Sequence, residues 1–209
     1  ARRKRDRALE AWASAASLTY QADGSSIESE PFAALPLFHY GRSRRITNLL
    51  SGVRRGLDIR LFDFSYRPER KNRDPVVQTV AVIRTPGVSL TEFSLQTRHW
   101  WSRVVGDPAV VTFPDDTAFT KAHFLKAVDH DAARKHFRDT VRRHLTKNPG
   151  WNIEGIGEWV VCWRPRHLCA PAELPAFLDQ ARDLRDMLSG GRPSAAGRGA
   201  LSEGQGKSG

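Results

Sequence analysis

Apolar and polar positions alternate most clearly between residues 46 and 85. Three strands are predicted there, over 46–53, 57–67 and 76–85, with a turn between the first two and a charged connection at 68–75. The alternation of the middle strand shifts at Leu61–Phe62, which indicates either a bulge or cover on both faces. The third strand is apolar almost throughout and is expected to be central. The pattern predicts an antiparallel meander.

Shorter strand patterns lie on both sides of this meander. The last one, 151–165, predicts a hairpin that turns near Gly155 and Gly157. Its second strand places Trp159, Val161 and Trp163 on one face and Val160 and Cys162 on the other, because side chains alternate along a strand. The remaining predicted strands are 18–24, 88–97, 109–113 and 119–128.

Helical periodicity appears in three places. Residues 1–17 are rich in helix formers, and Leu9, Trp12 and Ala16 share a face. Residues 131–147 predict one helix, with an apolar stripe at every fourth position from Ala133 to Leu145. Pro171 opens a last helix that ends before Gly190. Pro31 opens a short helical turn within 25–38.

These elements predict an α+β fold, mainly antiparallel sheet with helices packed on one side. The C-terminal half shows a weak repeat of two strands and a helix, first over 109–147 and then over 151–188. We expect a basic juxtamembrane helix at 1–17, an α+β domain at 18–189 and a disordered tail at 190–209, which lacks hydrophobic periodicity.

Charge is concentrated at the two ends of the chain. The net charge is +10, of which residues 1–7 contribute +4 and residues 190–209 contribute +2, leaving +4 for residues 8–189. The body is therefore only mildly basic, which weakens the case for a nucleic-acid surface. The chain begins at Ala1 and has one methionine, Met187, so we expect the natural start to lie upstream.

The basic N-terminus has the composition of the cytoplasmic flank of a transmembrane helix. It would also be attracted to an anionic membrane surface. The alternatives are a solvated terminus and a nucleic-acid-binding arm. The candidate membrane-flanking residues are Arg2, Arg3, Lys4, Arg5 and Arg7.

Two cysteines are too few for a disulfide framework in 209 residues, and reduced thiols fit a cytoplasmic location. No run of about 18 apolar residues occurs in the chain.

Three groups of residues combine side chains that occur in chemical sites. Asp58 and Asp63, with Glu69 and Lys71 nearby, resemble the carboxylates and lysine of metal-dependent nucleases. Their spacing points them to opposite faces of a strand, and solvent-facing charges are the favoured interpretation. The second group is four histidines, His123, His130, His136 and His144. Their spacing is poor for zinc, because no pair of them has a third ligand beside it.

The third group combines Cys162 with His167 and Cys169. A thiolate nucleophile needs an accessible, electropositive environment, whereas Cys162 lies between Val161 and Trp163 and is expected to be buried. The sequence therefore predicts no catalytic residue, no cofactor and no metal ligand.

Tryptophan and arginine together can bind single-stranded bases by stacking. Core packing is the favoured use of most of the six tryptophans. Trp100 and Trp101 lie in an irregular segment and are the best candidates for an exposed partner-binding patch. The arginines of the predicted 131–147 helix are expected to face water: Arg134, Arg138, Arg142 and Arg143.

Three stretches carry a resemblance to a known group of proteins. They are RRKRDRALEAWASAASLTY, then NLLSGVRRGLDIRLFDFSYR followed by QTVAVIR, and WNIEGIGEWVVCWRPRHLCAPAELPAFLDQA. Over roughly residues 2–188 the chain resembles an uncharacterised bacterial family in which a short N-terminal membrane anchor precedes a basic segment and a cytoplasmic α+β domain. The resemblance implies a location on the cytoplasmic side of the inner membrane, with a single-pass anchor upstream of Ala1. It implies no activity and no functional residues.

The leading hypothesis is a non-enzymatic domain for protein interaction, held at the inner face of a bacterial membrane. One alternative is an RNA- or DNA-binding domain that uses surface arginine and tryptophan. Another is a hydrolase whose site assembles from distant loops. The protein partner and the oligomeric state stay open.

Overall fold

The computed structural model describes residues 2–69, 73–98 and 107–190. All the strands in these ranges belong to one antiparallel sheet. They are β1 (Thr19–Asp23), β2 (Arg42–Arg54), β3 (Leu57–Arg67), β4 (Val76–Arg84), β5 (Leu90–Thr97), β6 (Val110–Val111), β7 (His123–Ala127), β8 (Asn152–Gly157) and β9 (Trp159–Trp163). Their order across the sheet is β1-β2-β3-β4-β9-β8-β5-β7-β6.

The helices divide between the two faces of this sheet. The α-helices are α1 (Arg2–Ala15), α2 (Thr117–Ala122), α3 (His130–His136), α4 (Asp139–Lys147) and α5 (Leu174–Leu188), and all five contribute to the core on one face. The other face is covered by short 3₁₀ helices at Ser25–Ser29, Pro31–Ala34 and Pro36–His39. A further 3₁₀ turn, Pro171–Glu173, leads into α5. The predicted α+β fold, with its α-helices on one side, is confirmed.

The hairpin β8–β9 shows how the sequence pattern separates two hydrophobic cores. Val160 and Cys162 lie in the core under the α-helices, whereas Val161 and Trp163 lie in the core under the 3₁₀ helices. This is the predicted alternation. β4 is buried on both faces and lies between β3 and β9, as its apolar sequence predicts.

The neighbouring residues Leu61 and Phe62 of β3 are both buried because both faces of the strand are covered, the second of the two predicted explanations. The register between β3 and β4 is continuous, and Leu61 and Phe62 belong to opposite cores. The bulge lies instead on β2, where the register shifts between Thr47 and Leu50 and Asn48 takes a φ of 56°. Asparagine tolerates this left-handed conformation better than most residues.

The predicted helix over 131–147 is two helices. Arg138 has an extended backbone (ψ 164°) and separates α3 from α4. The break lets Phe137 pack edge-on against Phe93, with ring centroids 5.0 Å apart, while Val141 stays in the same core. The Arg142 guanidinium donates to the carbonyl of Phe137 (3.0 Å), which the interrupted helix would otherwise leave unbonded.

The predicted strand over 119–128 is also shorter than expected. Asp116 accepts a hydrogen bond from the backbone N–H of Phe119 (3.0 Å) and so caps α2. The helix occupies the first half of the predicted strand, and only His123–Ala127 pairs with β5.

Asp63 anchors α1 to the sheet. Its carboxylate is buried, and the Arg5 guanidinium donates to both of its oxygens at 2.9 and 3.1 Å. Asn48 Nδ2 and Thr79 Oγ1 complete the set at 2.9 and 3.1 Å. The prediction that Asp63 faces solvent is therefore wrong, because α1 covers this part of the strand.

The same contacts fix the direction of α1. Arg5 lies beside Asp63, four residues before β3 ends, and also donates to the Cys169 carbonyl at 2.5 Å. Farther along α1, the guanidinium of Arg54, the last residue of β2, lies 5.9 Å from the centroid of the Trp12 ring. The helix therefore starts near the end of the sheet where β2 begins and β3 ends.

Removing the Arg5 side chain leaves a buried carboxylate without its counter-ion. We expect Arg5→Ala to lower the free energy of unfolding by about 3 kcal/mol, measured by urea denaturation at neutral pH. The matched control is Arg7→Ala, an exposed position on the same helix, with an expected change within about 0.5 kcal/mol. Equal effects of the two substitutions would contradict this assignment.

Candidate functional site

A recess opens on the second face of the sheet, beyond the point where the 3₁₀ layer ends. Pro36 and Tyr40 form its near wall, and β5 and β7 form its floor. Its volume is about 280 Å³, near the lower bound for small-ligand pockets. Phe124, Lys126 and the exposed Val128 line the far side. The recess exists because the three 3₁₀ helices cover β2, β3, β4 and β9 but not β5 and β7.

A chain of buried polar groups runs beneath this recess. Glu154 on β8 accepts a hydrogen bond from the Leu37 backbone N–H at 3.0 Å, and the Ser94 hydroxyl lies 3.0 Å from its other oxygen. Gln96 is bonded to Ser94 (3.3 Å) and to the Tyr40 hydroxyl. Among the described residues, Gln96 Oε1 is buried with no hydrogen-bond partner. The chain links the 3₁₀ layer to the middle of the sheet.

Burial controls the ionisation of this chain. It raises the pKa of Glu154 to about 8, although hydrogen bonds from Leu37 and Ser94 act in the opposite direction. Burial, and next the proximity of Glu154, raises the pKa of the Tyr40 hydroxyl as well. Both groups are therefore uncharged near neutral pH.

The chemistry of the recess follows from these states. The Ser94 hydroxyl is hydrogen-bonded to the Glu154 carboxyl, whose protonated form is favoured by burial. Lys126 is bound to Asp107 at 2.5 Å. The arrangement is suited to holding an apolar group by packing and an uncharged polar group by hydrogen bonding.

The predicted membrane-flanking residues divide into three sets. Arg5 is part of the buried ion pair with Asp63, whereas Lys4 and Arg7 are exposed. The side chains of Arg2 and Arg3 lie outside the described residues. So do Trp100 and Trp101, and the proposed partner patch stays a prediction.

The structure does not bring the candidate nuclease carboxylates together. Asp63 belongs to the Arg5 cluster, while Asp58 is paired with Arg60. Glu69 is exposed beyond the end of β3, and Lys71 lies outside the described residues.

The four histidines likewise form no metal-ligand cluster within the described part of the chain. His123 is buried and stacks on Phe119, with centroids 4.8 Å apart.

Both cysteines are free and buried. Burial raises the pKa of both thiols, that of Cys169 to about 11. His167, Cys169 and Glu173 place one ligand atom each within 4.8 Å of one another, and these are zinc-ligand types. Glu173 already accepts a hydrogen bond from the Ala170 N–H at 2.7 Å, through the same carboxylate oxygen that lies 3.9 Å from His167 Nε2.

The prediction of core packing is confirmed for two tryptophans, whereas the prediction for one arginine is wrong. Trp151 and Trp163 are buried, and Trp151 stacks on Phe177 at 5.1 Å, so neither is free to stack on bases. Arg142 does not face water: it is buried and pairs with Asp115 and Asp116, both at 2.9 Å. The other three arginines of this region, Arg134, Arg138 and Arg143, are exposed as predicted.

Sequence reasoning missed the recess. A signal for its floor was present, because Glu154 is a lone charged residue between apolar positions of the predicted hairpin. A charged residue buried in a central strand is expected to be either paired with an opposite charge or neutral.

No helix in the described residues is long and apolar enough to cross a membrane. Neither family models nor curated protein sequences give a match to this chain. Among solved structures, the chain is similar to the mycobacterial trehalose monomycolate transport factor A, with 14% identity and a TM-score of 0.62. The similarity covers 92% of this chain and 98% of that one, and it shows that the two share a fold.

The raised pKa of Glu154 predicts a pH-dependent stability. The folded protein holds this proton between pH 4.5 and about 8, whereas the unfolded chain releases it. The stabilisation is complete below about pH 4.5 and is lost as the pH rises through about 8, at up to ~1.4 kcal/mol per pH unit.

Glu154→Gln keeps the shape of the side chain and its hydrogen bonds with Leu37 and Ser94, but it removes the titratable proton. We expect the stability of this variant, relative to the original protein, to increase steadily from pH 5 to pH 8 in urea denaturation. A difference that is constant across this range would show that the pKa of Glu154 is not raised in the folded state.

Proposed function

We propose that this chain is a non-enzymatic interaction domain, held at the cytoplasmic face of a bacterial inner membrane, that serves a lipid-transport system. The observation that carries the proposal is the fixed direction of α1. Arg5 locks the start of this helix at one end of the sheet, with the exposed Lys4 and Arg7 beside it. A membrane anchor joined upstream of α1 would place this end against the bilayer, with the basic residues on the cytoplasmic side.

The shared fold supports a role in transport. The structure that it resembles is a transport factor for trehalose monomycolate, and the likeness extends over nearly the whole of both chains. The likeness therefore concerns the arrangement of the whole sheet and its helices rather than a single motif. Because fold does not determine function, the similarity supports the transport role only together with the basic start of α1.

The recess supports interaction over catalysis. Glu154, Ser94, Gln96 and Tyr40 are linked by hydrogen bonds, with only Gln96 Oε1 of these groups unbonded, and burial favours the protonated form of Glu154. An apolar group from a partner protein or a lipid fits such a surface better than a substrate that requires a base or a nucleophile. Val128 stands at its rim with 93% of its surface exposed and can contact an apolar group that enters the recess.

The test uses the bacterium that encodes the protein. With the full-length gene as the only copy, we expect Val128→Asp to block transfer of newly labelled envelope lipid out of the inner membrane, because a charge at the rim opposes apolar contact. The readout is pulse labelling of lipids followed by extraction of each membrane fraction. Protein level and thermal unfolding are expected to be unchanged, since Val128 is exposed.

Val53→Asp is the matched control. Val53 is also an exposed valine (67%), but it lies near the end of β2, away from the recess. We expect this variant to transfer lipid normally. Normal lipid transfer in a strain without the gene would refute the transport role, and release of the full-length protein from membranes by salt alone would refute the anchor.

A further inference from the structure

Four exposed arginines gather at the end of the sheet where α1 begins. Arg42, Arg44 and Arg45 start β2, and Arg67 ends β3. Arg42 and Arg67 are direct partners in the register of the two strands. Like charges opposite one another in a sheet are destabilising, so this pair has a cost in the isolated domain. We call these four residues the strand-end surface.

These arginines form no close ion pair within the described part of the protein, although Glu28 lines the same pocket as Arg44 and Arg45. Arg44 donates to the backbone carbonyls of His39 and Gly41, at 3.3 and 2.9 Å, and the four form no ion pair with a described carboxylate. The opposite end of the sheet differs. There Arg84 pairs with Glu158 at 2.7 Å, and Arg60 pairs with Asp58. The arginines of this end therefore have no close ion pair with a described carboxylate, whereas Arg60 and Arg84 at the opposite end each have one.

The strand-end surface lies at the same end as the start of α1. Arg5 reaches Asp63, which is opposite Thr47 in the sheet, and from there β2 and β3 continue to Arg42 and Arg67. Lys4 and Arg7 therefore lie toward the same end as the four arginines, although they come from a different layer of the fold.

We infer that the strand-end surface docks on the anionic headgroups of the bilayer, beside the basic start of α1. This inference rests on the proposed membrane location and names the partner of that end of the protein. A planar anionic surface matches charges that are spread over one end of a sheet and come from two layers. Within the described residues, single-stranded nucleic acid is the weaker fit, because Trp151 and Trp163 are buried and supply no stacking platform.

Vesicle sedimentation tests the inference directly. The probe is vesicles of phosphatidylcholine with about a third phosphatidylglycerol, compared with phosphatidylcholine alone. We expect the protein to bind only the anionic vesicles and to be released in about 1 M salt, where the screening length is ~3 Å. The double substitution Arg45→Gln and Arg67→Gln is expected to weaken binding roughly 25-fold, about fivefold for each charge.

The control removes the same charge from the opposite end, with Arg55→Gln and Arg84→Gln. Both residues are exposed, and we expect less than about a threefold change, since they face away from the bilayer. Arg45→Lys with Arg67→Lys is expected to bind almost normally, because attraction to a bilayer depends on charge and not on the guanidinium shape.

Each other outcome overturns the inference. Equal losses in the two glutamine variants would show attraction by net charge, without a docking surface. Loss of vesicle binding in the lysine variant would show that the guanidinium groups are required, as in a site that holds one anion by paired hydrogen bonds. Binding of a single-stranded RNA oligomer in preference to vesicles would assign the surface to nucleic acid. None of these results affects the lipid-transfer measurement in cells, so failure of this inference is separable from failure of the proposed function.

Discussion

The buried contact between Arg5 and Asp63 determines where the rest of this structure is placed. A carboxylate inside a sheet is costly unless it is paired and fully hydrogen-bonded. Asp63 meets this condition through residues of three other elements, from α1, β2 and β4. Arg5 also bonds the carbonyl of Cys169, and so the segment before α5 is held by the same cluster. The start of the chain, the sheet and the approach to the last helix are tied at one point.

The two faces of the sheet are covered by different kinds of structure, and this difference creates the candidate site. The α-helices cover one face along most of the sheet. On the other face, short 3₁₀ helices opened by Pro31 and Pro36 cover only part of it. Where they stop, Glu154 and Ser94 lie beneath the edge of the layer and bond to it through Leu37. The recess thus lies over the part of the sheet that the 3₁₀ helices do not cover.

The local patterns in the sequence were sufficient for most of the fold. The limits of β3 and the two faces of β9 follow from alternation alone. Patterns failed where a distant contact decides the outcome. Arg138 breaks a stripe that is helical in sequence because Phe137 must reach Phe93, and Asp63 is buried because α1 lies over it. For the same reason the recess was not predicted, since it depends on how far one layer extends over another.

The distribution of charge explains why a basic terminus and a basic strand end belong together. In a protein that is only self-contained, an opposed pair such as Arg42 and Arg67 would be expected to acquire an acidic neighbour, as Arg84 has in Glu158. This opposed pair lies at the end of the sheet where Arg5 holds the start of α1. Under the proposed membrane docking, an anionic surface would reduce the repulsion between Arg42 and Arg67 and would attract the basic start of α1.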